Sequence, residues 1–238
     1  MEVHHHAHTA RKKWTHYFWE FIMLFLAVFC GFLAEYQLEH KIEREKGKQY
    51  IHSYYEDLIK DTSILSRVIN AYEIKIAALQ DREACFDTLT KDIKSENCFW
   101  SLLFNTTYFP DLVYTDRTIQ QLKNAGGLRL LKPVDADSIL VYDNMLREFS
   151  KGETAQQEIQ ETIRNTMYSL VSHERFDENQ AVQPVSFLYG NNRELLNRYF
   201  NQLMGYTAIM QDGLTDLKNI RNRAFILITY FKKKYNLK

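Results

Sequence analysis

The first eight residues contain four of the eight histidines of the chain. Neutral imidazoles placed this close together chelate Zn²⁺, Cu²⁺ or Ni²⁺, so the tail is a candidate metal site. The alternative is a cationic tail, because protonated imidazoles would bind the anionic inner leaflet of a membrane. The four residues are His4, His5, His6 and His8.

A single carboxylate, Glu20, stands at the edge of a long apolar run. An ionisable group at membrane depth is a candidate functional site, and a proton-coupled membrane component would use it to carry a proton. Glu20 also lies near enough to the beginning of the run for its side chain to reach the interface. Pairing there, or with a partner helix, is therefore the second interpretation.

Cys85 and Cys98 are the two cysteines outside the apolar run. In an oxidising compartment they suggest one disulfide, and closing so short a loop would stabilise the fold by about 3 kcal/mol. Two buried free thiols are the alternative, and the sequence leaves it open.

Motifs typical of enzymes do not occur in the sequence, which contains no HExxH, CxxC, Walker, GxSxG or GxGxxG pattern. A di-iron bundle would need paired Glu-x-x-His motifs, and only Glu2 and His5 have that spacing. Lys and Arg together number 30, as do Asp and Glu, and this balance gives no support for a general nucleic-acid binder. We therefore predict a protein that is not an enzyme, uses no cofactor and binds no nucleic acid.

The element that positions these groups is an apolar run, FIMLFLAVFCGFLA, at residues 21–34. Extended back to residue 17 it would form a helix about 27 Å long, close to the thickness of a bilayer core. Aromatic residues that would form a belt at each interface flank it: Trp14, Tyr17, Trp19 and Tyr36. We predict a His-rich basic tail over 1–16 and a transmembrane helix over 17–36.

Three other interpretations of the apolar run fit the residues less well. A cleaved signal peptide needs small residues before the cut, and Phe32 and Ala34 supply only half of that pattern. A lipoprotein signal needs a small residue before its cysteine, whereas Phe29 precedes Cys30. A buried helix of a soluble protein is rarely apolar on every side with aromatic ends.

The orientation of the predicted span depends on the charges beside it. Arg11, Lys12 and Lys13 precede it closely, whereas the basic residues that follow are further away and mixed with glutamates. A short N-terminal tail that stays in the cytoplasm is the common arrangement when a large domain follows. We predict a cytoplasmic N-terminus and a periplasmic C-terminal domain.

Two segments resemble an uncharacterised family of single-span bacterial membrane proteins. The first is the opening MEVHHHAH, the lysines after it and EFIMLFLAV…GF.AE….EH, and the second is TIQQLKNAGGLRLL at residues 118–131. The sequence departs from the family pattern at Ala7, where a proline is usual, and at the bulky pair Phe29 and Cys30. The resemblance implies an inner-membrane protein of Gram-negative bacteria, and it carries no known activity or catalytic residues.

The rest of the chain predicts helices, because only three prolines and eight glycines interrupt 238 residues. We predict a charged helical stalk over 37–50, with Gly47 as its weak point, and a helical bundle over 51–238. Its helices are expected at 81–93, 116–125, 135–172 and 192–235, with an irregular aromatic segment at 99–109. Thr115 is the expected N-cap of the short helix, and Gly152 is expected to kink or break the long one.

The last predicted helix carries apolar residues at a seven-residue spacing from Leu203 to Phe231. This spacing is typical of an oligomeric coiled coil and also of a seam within one bundle, and we favour the seam. In an antiparallel bundle the C-terminus would return toward the bilayer, where Lys232, Lys233 and Lys234 would meet headgroups. The alternative is that these lysines stabilise the C-terminal end of the helix dipole.

The sequence as a whole predicts an all-α protein in which an N-terminal transmembrane helix continues into an antiparallel helical bundle. The function it favours is a membrane-anchored interaction module, an accessory or scaffold subunit of an inner-membrane complex. Its expected partners are the lipid bilayer and other inner-membrane subunits, or a second copy of the chain. The alternatives are a periplasmic sensor or ligand-binding domain that signals through a partner, and a proton-coupled stator-like component.

Overall fold

The computed structural model describes residues 14–91, 97–171 and 192–237. Six α-helices and one 3₁₀ turn at Gly127–Leu130 make up these ranges, which contain no β-strand. The helices are α1 Trp14–Gln80, α2 Arg82–Lys91, α3 Asn97–Thr107, α4 Arg117–Asn124, α5 Pro133–Tyr168 and α6 Arg193–Tyr235. The predicted all-α fold is therefore confirmed. The histidine-rich tail and the basic residues Arg11, Lys12 and Lys13 lie outside the described residues.

The chain divides into two compact units, Met1–Gln49 and Tyr50–Lys238. The described part of the first unit is the beginning of α1. That helix contains an 18-residue window with a mean hydropathy of 2.0, none of which is buried within the chain. It is the one helix in the described ranges that is long and apolar enough to cross a membrane.

The second unit is a helical bundle with a continuous apolar core. Side chains of α1 reach that core at steps of three and four residues, as the sequence predicts for one helix face. They are Ile51, Tyr54, Tyr55, Leu58, Leu65, Val68, Ile69, Tyr72, Ile76 and Leu79, all buried.

Helices α5 and α6 run antiparallel, because the beginning of one meets the end of the other. Asp135 in the first turn of α5 is completely buried and lies 2.6 Å from Nζ of Lys234 in the last turn of α6. The hydroxyl of Tyr230 donates to Oδ1 of Asp135 over 2.7 Å, and the hydroxyl of Tyr235 donates to Oδ2. Burial acts to raise the pKa of Asp135, but these hydrogen bonds outweigh it and hold the pKa below its usual value.

The seven-residue spacing of α6 is a seam within the bundle. Leu203, Met210, Leu217, Ala224 and Phe231 are all completely buried by other residues of the same chain. The preferred interpretation of this spacing is therefore confirmed for the bundle. The helix also continues without a break through the run AFILITYF, and Asn192 caps its start by accepting the N–H of Leu195 over 3.0 Å.

The prediction for residues 99–109 was wrong. Residues 99–109 were expected to be irregular, but α3 covers most of them. Phe99, Leu102 and Leu103 are buried, and this packing overrides the weak helix propensity of the aromatic residues. Helix α5 is not broken at Gly152, and α1 continues through Gly47. A single glycine costs a helix only about 1 kcal/mol, which neighbouring helical residues can offset.

Thr115 is not the N-cap of α4. The capping position belongs to Asp116, whose side chain makes no capping hydrogen bond. The N–H of Thr115 donates to a carboxylate of α1, because this part of the chain packs against that helix. Gly126 does end α4 as expected, with a left-handed φ of 64° that suits glycine.

Candidate functional site

The predicted aromatic belt lies on the first unit. Trp14, Tyr17, Trp19 and Tyr36 belong to α1 and are between 53% and 81% exposed. No part of the described chain covers them. Side chains of this type at the two ends of an apolar helix suit the boundary between lipid and water.

Aromatic residues also follow one face of this helix along its whole apolar length. They recur at three- and four-residue steps at Trp14, Phe18, Phe21, Phe25, Phe29, Phe32 and Tyr36. Neighbouring rings stack, with centroids 6.2 Å apart for Trp14 and Phe18 and 5.9 Å apart for Phe25 and Phe29. The opposite face carries the small residues Ala27, Gly31 and Ala34. One face of the apolar segment therefore carries bulky rings and the opposite face carries small side chains, although both faces are apolar.

Glu20 has a partner on its own helix. Oε1 of Glu20 lies 3.2 Å from Nε2 of His16, one turn earlier, and both side chains are about half exposed at 50% and 48%. This pair is what the interfacial interpretation expects of a carboxylate near the end of an apolar segment. The proton-coupling interpretation stays a prediction.

Cys85 and Cys98 form a disulfide that joins α2 to α3, with their Cα atoms 5.5 Å apart. Cys30, on the apolar part of α1, is free and exposed. The four histidines of the candidate metal site lie outside the described residues. Within residues 14–91, 97–171 and 192–237 no group of three or more metal-binding side chains is arranged to hold an ion.

The second unit contains a polar feature that was not predicted from the sequence. Residues 108–116, here called the strap, connect α3 to α4 without forming a helix. Polar side chains of α1 and α5, all buried except Gln157, hold the strap and its flanking residues. We call the surface that these side chains form the strap groove.

Helix α1 supplies three contacts to one side of the strap groove. Oδ1 of Asp61 accepts the N–H of Thr115 over 2.8 Å. The carboxylate of Asp57 accepts the hydroxyl of Thr118, and the ammonium of Lys75 donates to the carbonyl of Tyr108. All three α1 side chains are at most 3% exposed, so each is buried inside the bundle.

Helix α5 supplies three contacts to the other side. Oε1 of Glu153 accepts the N–H of Leu112 over 2.9 Å. Nε2 of Gln160 donates to the carbonyl of Thr106 over 2.5 Å, and Nε2 of Gln157 donates to Oδ1 of Asp111 over 3.0 Å. The strap is thus fixed from two helices at once.

Three of the groups that hold the strap titrate far from their usual range. Burial lowers the pKa of Lys75 to about 7, and no carboxylate contacts this amine within the described residues. Its Nζ lies 5.1 Å from the ring centroid of Tyr206 and 5.7 Å from that of Phe109, so two aromatic faces replace a counter-ion.

The two carboxylates shift in the opposite direction for the same reason. Burial raises the pKa of Glu153 to about 7, although the hydrogen bond from Leu112 opposes this. Burial raises the pKa of Asp61 to about 6 against hydrogen bonds from Thr115 and Tyr142. Burying a charge of either sign costs free energy. The contacts that hold the strap are therefore least favourable near neutral pH.

A sequence signal for these residues exists in the helix periodicity. The apolar series of α1 skips from Leu58 to Leu65, and Asp61 occupies the position between them. The series of α5 skips from Phe149 to Ile159, and Glu153 and its polar neighbours fill that gap. A polar residue at a core position predicts a buried polar contact, although it does not identify the partner.

A second surface feature of the bundle is a groove of about 590 Å³ between α5 and α6. Its lining includes Met145, Ile159 and Ile209 and the glycines Gly152 and Gly213. Asp212 and Asp216, which are exposed and one helical turn apart, also line it.

No protein-family model, curated protein or solved structure matches this chain. The uncovered apolar segment of α1 and the polar contacts of the bundle are therefore the observations from which function is inferred.

Proposed function

We propose that this chain is a membrane-anchored helical interaction module, an accessory or scaffold subunit of a bacterial inner-membrane complex. The observation that carries the proposal is the apolar window of α1, which has a mean hydropathy of 2.0 and no residue buried within the chain. Each large apolar side chain left in water costs about 1.5–3 kcal/mol relative to burial. A segment of this length therefore needs lipid or another protein around it.

The second unit supports a binding role rather than a passive one. Its core is filled by its own side chains, so the bundle can present a fixed surface to a partner. The disulfide between Cys85 and Cys98 supports a periplasmic location, since disulfides persist in oxidising compartments. The family resemblance at the start of the chain supports an inner-membrane location, and the tail charges support a cytoplasmic N-terminus.

A periplasmic sensor is the second candidate, and the groove between α5 and α6 favours it. Its volume of about 590 Å³ falls in the usual range for small-molecule sites, about 300–1,000 Å³. In this case the groove would bind a ligand and a partner would carry the signal across the membrane.

The test of the main proposal is purification of the full chain from native membranes. We expect the chain to stay in the membrane pellet after alkaline carbonate extraction and to co-purify in mild detergent with defined inner-membrane proteins identified by mass spectrometry. Val28→Arg places a charge in the uncovered segment, where Val28 is 69% exposed. This change should release the chain into the soluble fraction.

Ile74→Arg is the matched control, because Ile74 is 60% exposed on the bundle part of the same helix. It should leave membrane retention unchanged. Complete extraction of the unmodified chain by carbonate would contradict the anchor. A lone monomer with a small molecule bound between α5 and α6 would replace the scaffold proposal with the sensor.

A further inference from the structure

We propose that the groove between α5 and α6 is a docking site for one basic amphipathic helix of a partner protein. The inference rests on the proposed role as an interaction module, and it adds the kind of partner segment that the module would bind. Its basis is the shape of the groove, the charge of its lining and one buried hydrogen-bond donor that points into it.

The groove has the length and the residue spacing that suit a helix. Along α5 it extends from Met145 to Ile159, which is about 21 Å at 1.5 Å per residue. The volume alone would admit a small molecule, but this length favours a helix of about four turns. The α5 residues of the lining recur at alternating steps of three and four, namely Met145, Glu148, Gly152, Ala155 and Ile159. This is the seven-residue spacing of a seam between helices, and α5 carries it in addition to its core face.

Helix α6 forms the opposite wall of the groove with the same kind of spacing. Its lining residues Ile209, Asp212, Asp216 and Asn219 follow one another at steps of three, four and three. A helix placed between α5 and α6 would therefore meet two walls of matching periodicity. Side chains of such a helix would fit between those of both walls, as they do when a third helix joins a coiled coil.

The lining carries negative charge and no positive charge. Asp212 and Asp216 are exposed, and within the described residues neither carboxylate forms an ion pair or a hydrogen bond. The third carboxylate, Glu148, pairs with Lys151 at 2.8 Å. Among the described residues that line the groove, none is Lys or Arg. Two like charges one turn apart destabilise a helix, so Lys or Arg of the occupant beside α6 would relieve a repulsion that the chain itself leaves in place.

A buried amide supplies a directional contact in the middle of the groove. Gln156 is 7% exposed, and its Oε1 already accepts the hydroxyl hydrogen of Tyr72. Its Nε2 lies 3.0 Å from the position that a Cβ atom of Gly213 would take, and both residues line the groove. In the part of the chain that the structure describes, this Nε2 has no acceptor. A Ser, Thr, Asn or Gln at the centre of the docked helix would supply one.

The same charges disfavour a second copy of this groove as the occupant. In a twofold dimer the same surface of each copy meets the other, so that Asp212, Asp216 and Glu148 would face identical carboxylates. Like charges placed opposite each other at an interface reduce affinity. A helix of opposite charge avoids this repulsion, and we therefore infer a different protein as the partner.

Photo-crosslinking in native membranes tests the inference on the full chain. The photoreactive residue p-benzoylphenylalanine replaces Asn219, which is exposed and lines the groove, and mass spectrometry reads the sequence of the captured segment. We expect a segment of another protein that has apolar residues at three- and four-residue steps and two Lys or Arg residues one turn apart. The matched control places the photoreactive residue at Asn201, which is exposed on α6 outside this groove. It should not capture that segment.

Charge reversal tests the two aspartates. Asp212→Lys combined with Asp216→Lys should lower the crosslinking yield about tenfold or more, because the new ammonium groups would repel those of the occupant. Glu158→Lys combined with Glu161→Lys is the matched control, since it makes the same change of charge at two exposed carboxylates of α5 outside the groove. It should leave the yield unchanged.

A steric change tests the groove itself. Ala155→Trp fills the groove from an exposed position of its α5 wall and should also lower the yield about tenfold or more. Ala208→Trp is the matched control, because Ala208 is exposed on α6 and does not line the groove. Circular dichroism of each variant shows whether the bundle is still folded.

The absence of any crosslink at Asn219 would overturn the proposal, as would a crosslink whose yield responds to neither the charge reversal nor Ala155→Trp. Capture of an acidic segment, of a second copy of the chain or of a small molecule alone would equally exclude the basic helix. A chain that stays in the membrane with its co-purifying proteins and gives no crosslink in the groove refutes this inference alone. A chain that carbonate extracts and that co-purifies with no other protein refutes the proposed function as well.

Discussion

Tyr72 of α1 donates its hydroxyl hydrogen to Oε1 of Gln156 of α5 across 3.1 Å, and Gly213 of α6 lies against both side chains. Three long helices therefore meet at one buried hydrogen bond. A Cβ atom at Gly213 would lie 3.0 Å from Nε2 of Gln156 and 3.3 Å from a ring carbon of Tyr72.

This contact predicts opposite effects for two glycine substitutions. Gly213→Ala should lower the free energy of unfolding by about 1–3 kcal/mol, because the added methyl group displaces Gln156 or Tyr72. Gly152→Ala should raise it by about 0.5–1 kcal/mol, since a Cβ there meets nothing within 4 Å and alanine favours the helix. Urea denaturation of both variants in detergent, followed by circular dichroism, gives the two values. A stabilising Gly213→Ala would show that Gln156 and Tyr72 move aside to accommodate the methyl group.

The shifted pKa values predict a stability minimum near neutral pH. Glu153 has a raised pKa in the folded chain, so its contribution is fully present below the unfolded value of 4.5 and is lost as the pH rises through about 7. Lys75 has a lowered pKa, so its contribution is fully present above the unfolded value of 10.5 and is lost as the pH falls through about 7. The melting temperature should therefore be lower at pH 7 than at pH 5 or pH 9.

Two variants separate the acid side of this pH profile from its alkaline side. Glu153→Gln should remove the loss of stability between about pH 6 and pH 7, whereas the loss below about pH 6 should persist in part because the pKa of Asp61 is raised to about 6. Lys75→Met should remove the gain between about pH 7 and pH 10. Glu148→Gln, which changes an exposed carboxylate of the same helix, should leave the profile as it is. A profile without a minimum in the unmodified chain would show that these groups titrate normally.

Removal of the disulfide should lower the stability by an amount that rises with the logarithm of the length of the loop that it closes. Cys85 and Cys98 are 13 residues apart, so the pair of changes Cys85→Ser and Cys98→Ser should lower the free energy of unfolding by about 3 kcal/mol. Alkylation of the denatured chain should add one label without reductant, at Cys30, and three labels with it. Three labels without reductant would mean that the cysteines are not joined.

Glu20→Gln tests the proton-coupling interpretation directly. Because Glu20 pairs with His16 on the same helix, we expect the change to leave membrane retention and partner recovery unaltered. Proteoliposomes that contain the purified complex and a pH-sensitive dye give the second measurement. A proton flux that the unmodified complex supports and Glu20→Gln abolishes would favour the stator-like component.

Labelling of single cysteines tests the orientation. Ile74→Cys places a thiol at an exposed position of the bundle, and Cys30→Ser removes the free thiol of the apolar segment. A membrane-impermeant maleimide should label this variant in cells with a permeabilised outer membrane. Labelling only after the inner membrane is lysed would place the bundle in the cytoplasm.

The helices that the sequence predicts well are those with a long regular apolar series. The seam of α6 is an example, because Leu203, Met210 and Leu217 repeat at an interval that only a helix brings to one side. Helix α3 was missed because its aromatic residues have weak helix propensity, and its burial depends on contacts far away in the chain.

The polar groove was missed for a different reason. Asp61 and Lys75 stand at core positions of α1, but charged residues within an apolar series look like interruptions when the series is read alone. Their partners at Thr115 and Tyr108 are 54 and 33 residues away, and no local pattern links them. The spacing of residues along the sequence therefore predicts the helix but does not predict its polar contacts with distant parts of the chain.

The close approach of Gly213 to Gln156 and the ion pair between Asp135 and Lys234, which both join α6 to α5, together have a further consequence. A seam that repeats every seven residues would allow α6 to slide along α5 by two turns, about 10 Å, with little loss of apolar contact. Such a shift would carry Lys234 out of reach of a completely buried carboxylate. These contacts therefore permit only one alignment of α6 along α5. Their loss should produce a mixture of alignments before it produces unfolded chains.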